Sequence, residues 1–547
     1  MIAQFLKFIL FLNLSSITFG QVFDERFDDW LVDLKINGKV IVAGSLDELS
    51  ILGDFLRAER SLSTGLIMGS KVKATDITDL KNLFNEEKTS LQVMIEFNVV
   101  VSKKALADHD VVVINRKEPF TADEREAIVE MKKDFTNFIE RGGTLVALGE
   151  TSELVAAFST EGNEASLISK GLNLIPDVII DTSYNDKQER EQLLKALGKH
   201  PRCVGIGLAA NTALMLSGRK IRITGAETAT FLLASNDRES VRVQTLTKRT
   251  QNRRNIESVW LDLIQWRRDA IDRTLPIFPS VVPRPPLVRN GTLIIVGGGR
   301  TPAGLTRRMI ELAGGVDNAR LVYISCAEGD DVPERQRTVE SWKRMGVKHA
   351  TFIHTKDRNQ ANTDEDFLEP LKNATGIYFG GGRQWNFADS YYGTKAHKLM
   401  KDVLDRGGVI AGSSAGASIQ GRYLARATPI SNVKIMAFGY ERGGLGFLDG
   451  VAIDQHFSER GRHKDMTSLV ARYPQLLGIG LDESTAIIVQ KSRAEVVGNG
   501  KVFFYDPQNI PEANQPDYIA LSAGSEFDLV KREVLQVKNK NSDKAKD

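Results

Sequence analysis

The chain has 547 residues, more than one ordinary domain holds, so two or three domains are expected. Its 42% hydrophobic and 7% aromatic content is that of a globular protein, and a net charge of +2 gives no general pull toward nucleic acid or an anionic membrane. Cys203 and Cys326 lie far apart without metal-ligand spacing, which argues against a disulfide framework.

Residues 1–20 read as a signal peptide. Lys7 is their only charge, an apolar run follows, and Thr18 and Gly20 are small residues suited to cleavage before Gln21. No later apolar run is long enough to span a bilayer. The mature chain is therefore expected to be exported, to a periplasm or the extracellular space, with no membrane partner.

The next 500 residues contain the same landmarks twice. His200-Pro201, Gly205-Ile206-Gly207-Leu208 and Thr212-Ala213 match Tyr473-Pro474, Gly478-Ile479-Gly480-Leu481 and Thr485-Ala486 at a spacing of 273 residues. Arg141-Gly142-Gly143 matches Arg406-Gly407-Gly408 at 265, and Asn37-Gly38 matches Asn290-Gly291 at 253. Order is kept and only loop lengths change, so a duplication is expected. In the second copy β-branched runs at 293–296, 320–324, 376–379, 409–411 and 486–489 alternate with helical patterns at 305–312 and 333–345. Such alternation predicts two α/β domains, each a doubly wound parallel sheet with catalytic groups at the carboxyl ends of its strands. The expected boundaries are 21–248 for a first, non-catalytic copy, 249–289 for a basic and Pro-rich connector, 290–530 for a catalytic copy and 531–547 for a polar tail. The connector carries a basic helical stretch near Trp260–Arg268, then prolines that preclude a regular helix.

One stretch of the second copy points to chemistry. Val409–Ala411 enters Gly412-Ser413-Ser414-Ala415-Gly416, which fits G-x-S-x-G. In a nucleophile elbow a strand stops, a Ser sits at a strained corner and a helix begins at once. Ser414 needs a base, and His456 ends the apolar run Ile453-Asp454-Gln455-His456. The first copy has Gly149 opposite Ser414 and Ser183 opposite His456, so both members are missing together. It also has Ala210 opposite Glu483 and Lys117 opposite Gly382. Gly297-Gly298-Gly299-Arg300 lacks the dinucleotide pattern and reads as a tight turn. His456 and His463 have no third ligand in a recognisable spacing. Neither a cofactor nor a metal is expected.

Four ordered segments carry a resemblance: Tyr378–Gln384, Gly412–Ala417, Asp454–Arg462 and Gly478–Ala486, with Leu521–Gly524 near the end. Residues 290–530 resemble the cyanophycinases of the S51 serine peptidases. The resemblance implies a flavodoxin-like domain of the class I glutamine amidotransferase type. It also implies hydrolysis at aspartyl residues, with arginyl-polyaspartate as the cyanophycinase substrate. Ser414 then attacks the carbonyl, His456 moves the proton, and the N–H groups of Gly382 and Ala415 form the oxyanion hole. Arg460 and Arg462 clamp carboxylates, Asp454 and Glu483 take a guanidinium or order the arginines, and Gln384 and Gln455 add neutral hydrogen bonds. A dimer implied by the resemblance makes the first copy a built-in partner.

Three departures stand out. The acid expected soon after the Ser is missing, since Glu441 is the first carboxylate beyond Ala415. Thr428, Asn432 or Glu441 is left as the third member. Asp465 stands where a further substrate Arg is usual, and Arg383 replaces an acidic residue. The expectation is an exported serine peptidase acting on Asp-containing or related isopeptide bonds. The alternatives are a decayed protein that binds acidic peptides and a hydrolase for another small acyl substrate.

Overall fold

The computed structural model of the chain describes residues 36–44, 49–52, 55, 64–69, 90–93, 103–116, 120–160, 168–182, 184, 187–225, 228–247, 260–327, 329, 336–429, 434–508 and 515–537. The signal peptide, residues 249–259 of the connector, the end of the tail, and Lys117, Ser183 and Asn432 lie outside them. Among the described residues no helix is long and apolar enough to cross a membrane.

Among the described residues, each half builds one large and one small sheet, and the strand order repeats in the strands named below. The large N-terminal sheet runs Ser90–Val93, Thr64–Gly69, Val111–Arg116, Thr144–Gly149, Lys39–Ala43, Thr212–Ser217, Lys220–Gly225, Leu261–Asp262. The large C-terminal sheet runs His349–Ile353, Arg320–Ile324, Gly376–Phe379, Val409–Ser413, Val288–Val296, Thr485–Lys491, Arg493–Gly498, then Glu526–Asp528 and Glu533–Gln536. In both, the first five strands are parallel and the rest antiparallel. The small sheets agree in five strands, and the N-terminal one carries a sixth, Ile168–Lys170, antiparallel to Phe158–Thr160. Phe158–Thr160, Val178–Asp181, Val204–Leu208, Thr228–Leu233 and Arg242–Thr247 match Gly421–Tyr423, Leu448–Gln455, Leu477–Leu481, Lys501–Tyr505 and Ile519–Ser522 in order and sense.

The register repeats at the spacings read from the sequence. Lys39 pairs with Thr144 and Thr292 with Val409. Ala43 pairs with Ala213 and Val296 with Ala486. Ile179 pairs with Gly205 and Ala452 with Gly478.

The sheets are mixed rather than wholly parallel, because a two-residue turn follows the sixth strand of each. Such a turn can only join antiparallel neighbours. Gly218-Arg219 makes it in one half and Lys491-Ser492 in the other, with φ +55 at Gly218 and +53 at Lys491. The parallel strands are continuous apolar runs: Val111–Val113 and Leu293–Val296 are buried throughout. That is the pattern of strands covered on both faces.

The connector is part of the fold. Leu261–Asp262 adds a last strand to the N-terminal sheet, and Asp262 caps the helix Leu263–Asp272 by accepting from the Gln265 N–H. Leu263, Trp266 and Ala270 of this helix join the N-terminal core, while Ile271 and the following Leu275 join the C-terminal core. Gly439 packs on it so closely that a Cβ there would lie 2.2 Å from the Gln265 carbonyl oxygen.

Candidate active site

The strand Val409–Ser413 ends at Ser414, and the short helix Ala415–Ser418 starts at the next residue. Ser414 has φ +57 and ψ −115, a backbone state costly for a residue with a side chain. The corner works because its neighbours are small. A Cβ on Gly412 would meet the Gly416 carbonyl oxygen at 2.2 Å, and one on Gly416 would meet that of Phe379 at 2.1 Å. Gly149 occupies the same corner of the N-terminal half with φ +62 and ψ −135.

The strand Leu448–Gln455 delivers His456 to the same edge. Its Nε2 lies 2.9 Å from Ser414 Oγ. Its Nδ1 lies 2.5 Å from Oε1 of Glu483, in the loop after Leu477–Leu481. His456 is 9% exposed, and the Glu483 side chain 39%. Three strand ends therefore bring together a hydroxyl, an imidazole and a carboxylate.

The glycine turn after Val288–Val296 braces this row. The His456 N–H donates to the Gly297 carbonyl at 2.7 Å, and the Ser484 N–H to that of Gly298 at 2.9 Å. Gly298 has φ +113, and a Cβ there would sit 2.3 Å from the His456 ring. A Cβ on Gly299 would sit 2.9 Å from the Glu483 side chain. The turn read from sequence as merely tight is thus the floor under His456 and Glu483. The clue was present, since three consecutive glycines after a strand mark a close approach of other groups.

The acid beside His456 is Glu483, not a residue of the stretch just after Ser414. Glu441 instead accepts from the hydroxyls of Tyr423 and Tyr473 at 3.0 and 3.1 Å. Burial pushes its carboxyl up to about 7 despite those two donors. Thr428 is buried with its hydroxyl unpartnered, and Asn432 lies outside the described residues. The sequence did hold a sign of Glu483, because Ala210 stands opposite it in the half that lacks Ser and His.

The other candidates divide into two groups. Asp454 is buried between two guanidiniums, with Arg462 at 2.8 Å and Arg426 at 2.7 Å. Arg426 also reaches Asp465 at 2.5 Å. Desolvation pulls the Arg462 guanidinium down to about 10, against the pull of Asp454. Arg462 and Asp454 are thus committed to each other, while Arg460 is exposed. Gln384 Nε2 donates to the carbonyls of Ala425 and Arg426 at 3.0 and 2.7 Å. The Oε1 atoms of Gln384 and Gln455 are buried without a partner. Near Ser414, a Cβ on Gly381 would lie 3.5 Å from the Ser414 Cβ. Gly382 follows with φ +133, where a Cβ would meet the Ala327 carbonyl oxygen at 2.1 Å.

A hydroxyl, an imidazole and a carboxylate in this row can move one proton off the oxygen as it attacks. Comparison with known proteins agrees in region. Residues 292–497 match the sequence profile of Peptidase family S51. A cyanophycinase from Geminocystis herdmanii is 29% identical over 231 residues, 42% of this chain and 84% of that protein. One from Trichormus variabilis is 26% identical over 279 residues, 47% of this chain and 91% of that protein. A crystal structure of a peptidase from an acI-B1 Actinobacterium is similar at 25% identity over 44% of this chain and 97% of its own, with a TM-score of 0.33.

Proposed function

We propose that the C-terminal region of this chain, whose residues 292–497 match Peptidase family S51, is a serine peptidase of cyanophycinase type. The observation that carries this reading is the continuous row Ser414 Oγ, His456 Nε2, His456 Nδ1, Glu483 Oε1.

Glu483 accepts from Nδ1–H and so keeps the Nε2 lone pair facing Ser414. As Oγ bonds to the substrate carbonyl carbon, the Ser414 proton passes to Nε2. The backbone N–H groups beside Ser414, from Ala415 and the Gly381-Gly382 turn, face the developing oxyanion. The C–N bond breaks, and His456 gives its proton to the leaving amine. Water then enters with His456 as base, and the acid product and Ser414 are restored.

The substrate is proposed to be a peptide or isopeptide at an aspartyl residue. Exposed Arg460 supplies positive charge for a substrate carboxylate. Arg462 is already neutralised by Asp454 and Arg426 by Asp465, so these two arginines serve to shape the pocket. The N-terminal half is proposed to be a non-catalytic copy acting as an intramolecular partner. Its matching strand order, its glycine at the elbow and Ala210 opposite Glu483 support this. Residues 1–20 are proposed to direct export, and mass spectrometry of the mature chain starting at Gln21 tests that.

Digestion of a library of α- and β-aspartyl peptides, with a serine-directed phosphonate as probe, tests the activity. Cleavage and an adduct on Ser414, both lost in Ser414→Ala, are expected. No adduct with retained binding of acidic peptides would identify a binding protein instead.

A further inference from the structure

The helix Gln384–Tyr391 links the nucleophile to the N-terminal half. Its first residue follows the Gly380–Arg383 turn that lies against Ser414. That turn is pinned at both ends, Gly380 N–H to the Ile324 carbonyl at 2.9 Å and Arg383 N–H to that of Ala327 at 2.9 Å. Trp385 and Asp389, four apart, share one face of the helix. That face meets the N-terminal half.

Arg219, in the turn between Thr212–Ser217 and Lys220–Gly225, donates to Asp389 Oδ2 at 2.5 Å and lies over the Trp385 ring, 4.7 Å from its centroid. Arg268 of the seam helix donates to Asp389 Oδ1. Tyr440 adds its hydroxyl at 2.9 Å. Arg219 is itself held by Asp262 through two bonds of 2.6 and 3.0 Å. Burial disfavours the Asp389 carboxylate, yet the guanidiniums of Arg268 and Arg219 overcome it and hold its pKa below the usual range. A mostly buried carboxylate with three donors fixes the geometry of whatever carries it.

We infer that Asp389 is a positioning residue, through which Arg219 and Arg268 of the N-terminal half and seam set the Gly381-Gly382 turn against Ser414. The inference rests on the serine-peptidase reading above. On that reading the turn faces charge that develops only during reaction. A small displacement costs rate and leaves ground-state binding nearly intact. The N-terminal half then acts on the chemistry, beyond covering apolar surface.

The test uses the full chain and a fluorophosphonate, with the maximal labelling rate and the half-saturating concentration measured separately. Arg219→Ala and Asp389→Asn are expected to lower the maximal rate about tenfold or more and to change half-saturation by less than about twofold. Arg219→Lys, which keeps the charge, is expected to recover part of the rate. Arg442→Ala is the control, since the Arg442 guanidinium reaches Asp272 and the Pro276 carbonyl, each at 2.9 Å, rather than Asp389. Its labelling rate is expected to stay at the wild-type value. Equal losses in Arg442→Ala and Arg219→Ala, or unchanged labelling in Arg219→Ala and Asp389→Asn with native near-ultraviolet circular dichroism, overturn the inference. Failure of the wild-type chain to label overturns the serine-peptidase reading instead.

Discussion

Glu483 and Gly298 govern His456 from opposite sides. Glu483→Gln keeps the size of the side chain and removes the charge that, in the proposed mechanism, orients the His456 imidazole. Its expected effect is a loss of about 10²–10⁴ in the rate of peptide cleavage with native unfolding behaviour, measured by steady-state kinetics and thermal melting. Glu441→Gln is expected to leave that rate near wild type, because Glu441 bonds to Tyr423 and Tyr473 and not to His456. Equal losses in the two variants would refute the assignment of Glu483. Gly298→Ala puts a methyl group where the His456 ring already lies 2.3 Å away, at a φ of +113. The ring must move off Ser414, so phosphonate labelling is expected to fall by about 10²-fold, the cost of a misplaced group.

Within single elements, the short helices that follow Gly149 and Ser414 differ in side-chain chemistry. In the N-terminal half the helix Glu150–Leu154 carries Glu153, which Thr182 approaches at 3.4 Å. Burial pushes its carboxyl up to about 8; Glu150 and Asp181 add to the shift, and Thr182 and Arg125 oppose it. The folded value lies above the unfolded value near 4.5. Folding therefore binds a proton, and the stability that Glu153 contributes is complete below the unfolded pKa and is lost as pH rises toward 8. Glu153→Gln is expected to flatten that slope and to stabilise the chain by about 2 kcal/mol at pH 8, with little change at pH 4.5. Urea unfolding at the two pH values measures it, and a parallel shift at both would contradict it. In the C-terminal half small apolar residues, Ala415 to Ala417, fill the same helix.

For the whole molecule, the seam decides whether the halves separate. The helix Leu263–Asp272 gives side chains to both cores, and Arg268, 1% exposed, ends on Asp389 across the junction. Removing one partner of a buried ion pair strands the other, at a cost of about 3–5 kcal/mol. Residues 290–547 expressed alone are therefore expected to be aggregation-prone and slow to label at Ser414, as read by light scattering and phosphonate kinetics. A soluble, fully active fragment would remove any need for the N-terminal half.

The sequence by itself determined what neighbours along the chain encode. Repeated landmarks at spacings of 253, 265 and 273 residues reappear as equivalent strand pairs, because β-branched runs and glycine turns specify strand ends locally. Ser414 and His456 were legible because each ends an apolar strand and both were missing from the other half. Tertiary structure alone decided which distant side chains meet. Glu483 reaches His456 from a loop 27 residues on, and Asp454 goes to Arg426 and Arg462 because adjacent strands leave it no solvent. The connector became a seam for the same reason. Its arginines could leave water only where Asp389 and its neighbours were already placed to receive them.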